Sequence, residues 1–123
     1  MKFKVTITGH GPEALGFIED EGNPFFILFN DDAPDGLSDI CVLHTKSEIY
    51  EDPEIGDTLK IGSKEFIITA VGYEALHTLK ELGHCTLNFT GASEAALPGC
   101  LMLLGCEKMK ASDIVPGVEI SIY

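Results

Sequence analysis

The chain of 123 residues contains no arginine and no tryptophan. Its eight cations are all lysines, set against twenty Asp and Glu residues, for a formal net charge of −12. A field of that sign repels nucleic acid and anionic lipid, which removes both from the candidate partners. It suits a basic protein partner, by steering and by complementarity, although acidity also serves solubility alone. No apolar stretch is long enough to span a bilayer. The opening Met1-Lys2-Phe3-Lys4-Val5 lacks a signal peptide's long apolar region and cleavage site. These absences predict a cytoplasmic protein with no direct membrane insertion. The four cysteines, Cys41, Cys85, Cys100 and Cys106, form no C-x-x-C pair. They are expected to be reduced, small and buried, not a disulfide framework. A phosphate-cradling glycine loop is also missing. Gly9-His10-Gly11 has no lysine and no long helix after it, so His10 reads as a turn residue.

The length fits one domain over 1–123 with a real hydrophobic core. Strand signals dominate. Phe3 to Thr8 alternates apolar and polar residues, as a half-buried strand does. Phe25 to Phe29 is a continuous apolar run and reads as a central strand. Asn30 to Gly36 is a loop by composition. Leu37 to Asp39 fits one helical turn, and Ile40 to Leu43 a further strand ending at His44. Thr58 to Ile61 and Lys64 to Ile68 flank Gly62-Ser63, a two-residue hairpin signature. One short helix is expected near 74–82, with Leu76, Leu79 and Leu82 as its stripe and Gly83 as its C-cap. Leu87 to Phe89, Cys100 to Leu104 and Val118 to Ile122 complete the strand set. Pro98-Gly99 and Pro116-Gly117 each precede one of them as a turn. Many short strands with regular Gly/Pro punctuation predict a mainly β fold, a small closed or partly open barrel.

Four histidines are the candidate chemistry. His44 ends an apolar run after an acidic loop, a position that can present an imidazole to solvent on a rigid base. Near neutral pH an imidazole is partly unprotonated and can act as a nucleophile. His84 stands in a comparable setting before Cys85-Thr86-Leu87-Asn88-Phe89, so the two could share a pocket. Cys41, His44, His84 and Cys85 are legitimate zinc ligand types. Alternation along a strand, however, points His84 away from Cys85 and Cys41 away from His44, so no metal site is expected. Cys41 or Cys85 paired with a histidine would give a nucleophile only in an exposed, electropositive setting, which nothing marks. His77 falls off the leucine stripe and reads as exposed.

Several segments together resemble a known family. Asp39-Ile40-Cys41-Val42-Leu43-His44, Ile68-Thr69-Ala70-Val71-Gly72, Glu81 to Gly91 and Glu94-Ala95-Ala96-Leu97-Pro98-Gly99 are similar, in order, to the glucitol/sorbitol-type IIA component of the bacterial phosphoenolpyruvate-dependent sugar phosphotransferase system. The resemblance runs nearly the full length. It implies a small β-barrel and a phosphoryl carrier that needs no cofactor. His44 matches the family's phosphorylated histidine, and His84 a second family histidine in a Leu-Gly-His motif. The implied partners are HPr, a basic phosphocarrier that donates the phosphoryl group, and the IIB and IIC permease components that use it for polyol uptake. The resemblance leaves a homodimer open. With no guanidinium in the chain, backbone N–H groups, His84 and Lys46 are the local candidates to offset the phosphoryl charge, Lys46 on the same face as His44 if the strand continues past it, and the main cation is expected in trans from a basic partner. The competing reading is a non-catalytic regulatory or binding barrel of the same fold.

Overall fold

Eight strands close into a barrel in a computed structural model that describes residues 1–123. They are β1 (Phe3–His10), β2 (Phe25–Asn30), β3 (Val42–His44), β4 (Thr58–Ile61), β5 (Lys64–Val71), β6 (Cys85–Asn88), β7 (Cys100–Leu104) and β8 (Glu119–Ile122). Around the barrel the order is β1-β3-β2-β6-β7-β5-β4-β8, with β8 pairing back to β1. Closure leaves no free edge for a stray strand to pair with. Six of the eight pairings are antiparallel, while β2–β3 and β6–β7 run parallel.

Alternation explains which side chains fill the interior. Phe3, Val5 and Ile7 of β1, Phe26 and Leu28 of β2, Leu59 and Ile61 of β4, and Phe66 and Ile68 of β5 all fall two apart and join one buried cluster. Gly62-Ser63 turns β4 into β5 with Ile61 opposite Lys64. Gly62 alone takes a positive φ, 57°, as a Gly-first two-residue turn requires.

The expected boundaries shift in places. β1 runs on to His10, which is therefore a strand-end residue and not a turn residue. The helical turn is a 3-10 turn at Ser38–Ile40, so Ile40 belongs to it and the strand begins at Val42. A second 3-10 turn, Ala111–Asp113, carried no sequence signal that was read. The helix α1 spans Ala75–Leu82 and stops at Gly83, which adopts the left-handed region at φ 63°. Its buried face is Ala75 and Leu79, an i, i+4 pair, whereas Leu82 is 46% exposed. The three-residue leucine spacing drifts around a helix of 3.6 residues per turn, so Leu82 rotates off the packed side.

Lys2 ties the start of β1 to the segment before β4, donating to Asp57 at 2.7 Å and lying 3.4 Å from Glu51. That hydrogen bond holds the Asp57 carboxyl below its ordinary value of 3.8. A carboxyl depressed in the folded state contributes stability above its unfolded pKa and loses it as pH falls through the folded one. Denaturation midpoints should therefore hold from neutral pH down to about 4 and fall below it. Asp57→Asn should flatten that low-pH slope, and an unchanged slope would remove Asp57 from the account.

Candidate active site at the barrel mouth

Register places the candidate residues on one level of the barrel. His44 pairs with Ile7 on one side and with Asn30 on the other. Phe26 lies opposite Leu87 and Leu28 opposite Cys85, so the next step along β2 sets Asn30 opposite Gly83. Val42 faces the core, and two-residue alternation turns His44 inward at the same mouth. The C-terminal end of α1 closes this mouth through Gly83.

His44 is consequently 0% exposed, not presented to solvent. The closure comes from the α1–β6 corner, 39 residues away in sequence. The ring's Nδ1 lies 2.8 Å from the Thr45 carbonyl oxygen and its Nε2 lies 2.8 Å from the Gly83 carbonyl oxygen. Phe3 meets the ring edge-on, with centroids 6.5 Å apart. A carbonyl only accepts, so each contact needs a ring N–H, and a neutral imidazole has one. In the neutral ring one contact is a hydrogen bond and the other sets lone pair against lone pair.

The two carbonyls are held by different elements. The Thr45 N–H donates to the Thr6 carbonyl at 2.9 Å, and the Thr6 N–H donates to Thr45 Oγ1 at 3.0 Å, which pins Thr45 against β1. Gly83 sits at a left-handed helix end, its N–H donating to the Leu79 carbonyl at 3.0 Å. The corner that carries it is exposed at Glu81 and Leu82 but buried at Gly83, and it is tied by the His84 N–H donating to the Thr78 carbonyl at 3.1 Å and by Thr78 Oγ1 donating to the His84 carbonyl at 2.6 Å.

His84 is not brought together with His44 by any hydrogen bond or ring contact. It points to the outer side of the barrel, where its ring packs on Phe29 at a 5.0 Å centroid distance and Nδ1 lies 3.1 Å from the Leu28 carbonyl. Lys46 also stands apart from the strand face expected of it. β3 ends at His44, and the exposed Lys46 ammonium pairs with Asp32 at 2.7 Å. That pairing raises the lysine's pKa and lowers that of Asp32. His77 is exposed, and His10 places Nδ1 2.8 Å from the Gly11 carbonyl.

The cysteines are poor nucleophiles here. Burial, with a smaller contribution from Cys100, pushes the Cys85 thiol up to about 12, and its S–H donates to the Thr86 carbonyl at 3.6 Å. Burial also raises Cys41 and Cys100. Cys106, expected to be buried, is exposed. Alkylation of the folded protein with iodoacetamide near pH 8 should therefore stop at one label per chain, on Cys106, and rise to four on unfolding. Fast labelling of Cys85 would contradict its sealed environment.

Residues 2–121 match the family described as the PTS system glucitol/sorbitol-specific IIA component. The glucitol/sorbitol-specific EIIA components of Escherichia coli (strain K12) and Shigella flexneri are each 34% identical over 115 residues, spanning 94% of this chain and 89% of theirs. Among solved structures, a PTS system IIA component from Enterococcus faecalis V583 superimposes with a TM-score of 0.78 at 27% identity, covering 97% of this chain and 98% of that one. No helix of the chain is long and apolar enough to cross a membrane.

Proposed function

We propose that this chain, which belongs to the glucitol/sorbitol-specific IIA component family of the phosphotransferase system, carries its phosphoryl group on Nε2 of His44. The observation that supports this reading is the different setting of the two ring nitrogens. Nδ1 lies against the ring's own chain, and in this reading its N–H donates to the pinned Thr45 carbonyl, which selects that tautomer. Nε2 is the tip of the ring and meets only the Gly83 carbonyl. When the α1–β6 corner withdraws that carbonyl, the Nε2 lone pair is uncovered.

The step is an in-line transfer. The His44 Nε2 lone pair forms the new P–N bond as the bond from phosphorus to the donor breaks, its electron pair leaving with the donor. The Nδ1 proton stays on Thr45's side throughout. The reverse step hands the group on, because an imidazole is both a good nucleophile and a good leaving group. Charge in the transition state is spread over three phosphoryl oxygens, so the site's work is positioning and charge stabilisation. His84, half-buried on Phe29 at the surface, supports the neighbouring corner and the docking face; it does not touch the His44 ring.

The donor in this reading is the basic phosphocarrier HPr, and the acceptor the IIB component of a polyol permease in the same cytoplasmic compartment, with 1–123 acting as one carrier domain. The net charge of −12 steers a basic donor in. A homodimer would have to use outer side chains such as the exposed cross-strand pair Ile67 and Leu104, since the closed barrel offers no edge.

Incubation with phosphoenolpyruvate and the general phosphotransferase proteins, followed by intact mass, tests the reading. An acid-labile gain of one phosphoryl group is expected, with phosphorus–nitrogen coupling to Nε2 in ring-labelled protein. The rate of gain should fall steeply as salt rises, because exposed charges are screened over about 8 Å at physiological ionic strength. No gain would favour the non-catalytic barrel.

A further inference from the structure

We propose that the side-chain amide of Asn30 donates a hydrogen bond to the phosphoryl group on His44, in place of the guanidinium this chain lacks. The inference rests on His44 Nε2 as the acceptor and adds a second residue that touches the transferred group.

A phosphoryl group in transit needs donors aimed at its oxygens. The cations around the mouth are engaged elsewhere. Lys46 pairs with Asp32, Lys80 with Asp52, and Lys2 with Asp57 and Glu51. His84 is turned to the outer face against Phe29. Asn30 is different in position and in state. It is paired in register with His44. A Cβ built on Gly83 would meet Asn30 Oδ1 first, then Cγ at 2.6 Å and His44 Cε1 at 2.7 Å, so the amide and the ring flank the same point, and a half-turn of the amide brings its NH2 there. That point adjoins the position that opens when the Gly83 carbonyl leaves Nε2.

The Asn30 side chain makes no hydrogen bond within the chain and neither of its amide atoms is a buried group without a partner, so the amide is open to water. The other asparagine on the adjoining strand is used structurally: Asn88 donates to Asn23 Oδ1 at 2.9 Å and accepts from Thr90. A water-accessible amide at the level of the phosphate acceptor exchanges water for a phosphoryl oxygen without breaking any bond inside the chain. Its two N–H groups carry no charge, so they bind the phosphoryl oxygens without attracting the carboxylates of Asp31 and Asp32 that follow it in sequence. An aspartate of the same shape would offer only acceptors and a negative charge.

Two readouts test this. In wild-type protein labelled with nitrogen-15, the Asn30 side-chain NH2 resonances should shift on phosphorylation of His44. In kinetics with phosphoenolpyruvate and the general phosphotransferase proteins, Asn30→Ala should slow phosphoryl gain about tenfold and Asn30→Asp about a hundredfold, the range for one hydrogen bond to a charged group. Thermal midpoints should stay close to wild type. Unmoved Asn30 resonances in a protein that is phosphorylated on His44 would overturn the proposal while leaving His44 in place. Wild-type rates in folded Asn30→Ala would do the same. Wild-type protein that takes no phosphate on His44 would overturn the His44 reading and this one together. The resonance test needs no variant, so a misfolded substitution cannot obscure the result.

Discussion

His44→Ala is expected to take up no phosphoryl group at all under conditions that fully phosphorylate the wild type. No other side chain at the mouth can replace it, since His84 lies on the outer face and the buried thiols are held protonated. The same substitution should also reduce stability. It leaves a void beside Phe3 and removes the donor that faces the Thr45 and Gly83 carbonyls. The one carbonyl that loses its hydrogen bond costs about 1–3 kcal/mol. His44→Gln separates the two effects. Its amide still supplies N–H donors near one carbonyl, so urea midpoints should fall less than in His44→Ala, while phosphoryl uptake stays at zero. Intact mass and denaturation on the three proteins check both parts. A phosphate gain that persists in His44→Ala would move the acceptor elsewhere.

The barrel was legible because its signals are local. Alternation marks β1, the apolar run marks β2, and Gly62-Ser63 marks the β4–β5 turn; each depends on residues adjacent in sequence. The pairing order was not legible. β2 beside β3 and β6 beside β7 are parallel contacts, and no turn between the strands announces them. That gap explains what was missed at the site. Asn30 reads as the first residue of an acidic loop, and only the β2–β3 register sets it next to His44. His44 reads as a strand end open to water, and only the α1–β6 corner shows it sealed. Lys46 fails as a strand neighbour because β3 is three residues long and stops at His44. The histidine itself was found by type, by its place after an apolar run, and by the family resemblance, none of which requires knowing what covers it.

Gly83 is where burial and chemistry meet, so Gly83→Ala should be the most damaging change that leaves every polar group intact. The residue holds φ 63°, a left-handed conformation that costs a residue with a side chain about 1–2 kcal/mol. The added methyl would also press on Asn30, at 2.6 Å from Cγ, and on His44, at 2.7 Å from Cε1. The unbonded Asn30 amide can turn aside, but the His44 ring is held by Thr45 and edged by Phe3 and does not yield easily. Strain and crowding together should lower stability by about 2–4 kcal/mol, seen as a fall in the urea midpoint at constant slope. Function should suffer beyond what stability explains. Below the melting range, the folded fraction of Gly83→Ala should still gain phosphate more slowly than wild type, because the methyl fills the gap through which Nε2 is reached. If folded Gly83→Ala takes up phosphate at the wild-type rate, the α1–β6 corner is a structural cap alone and the route to His44 lies on the Thr45 side.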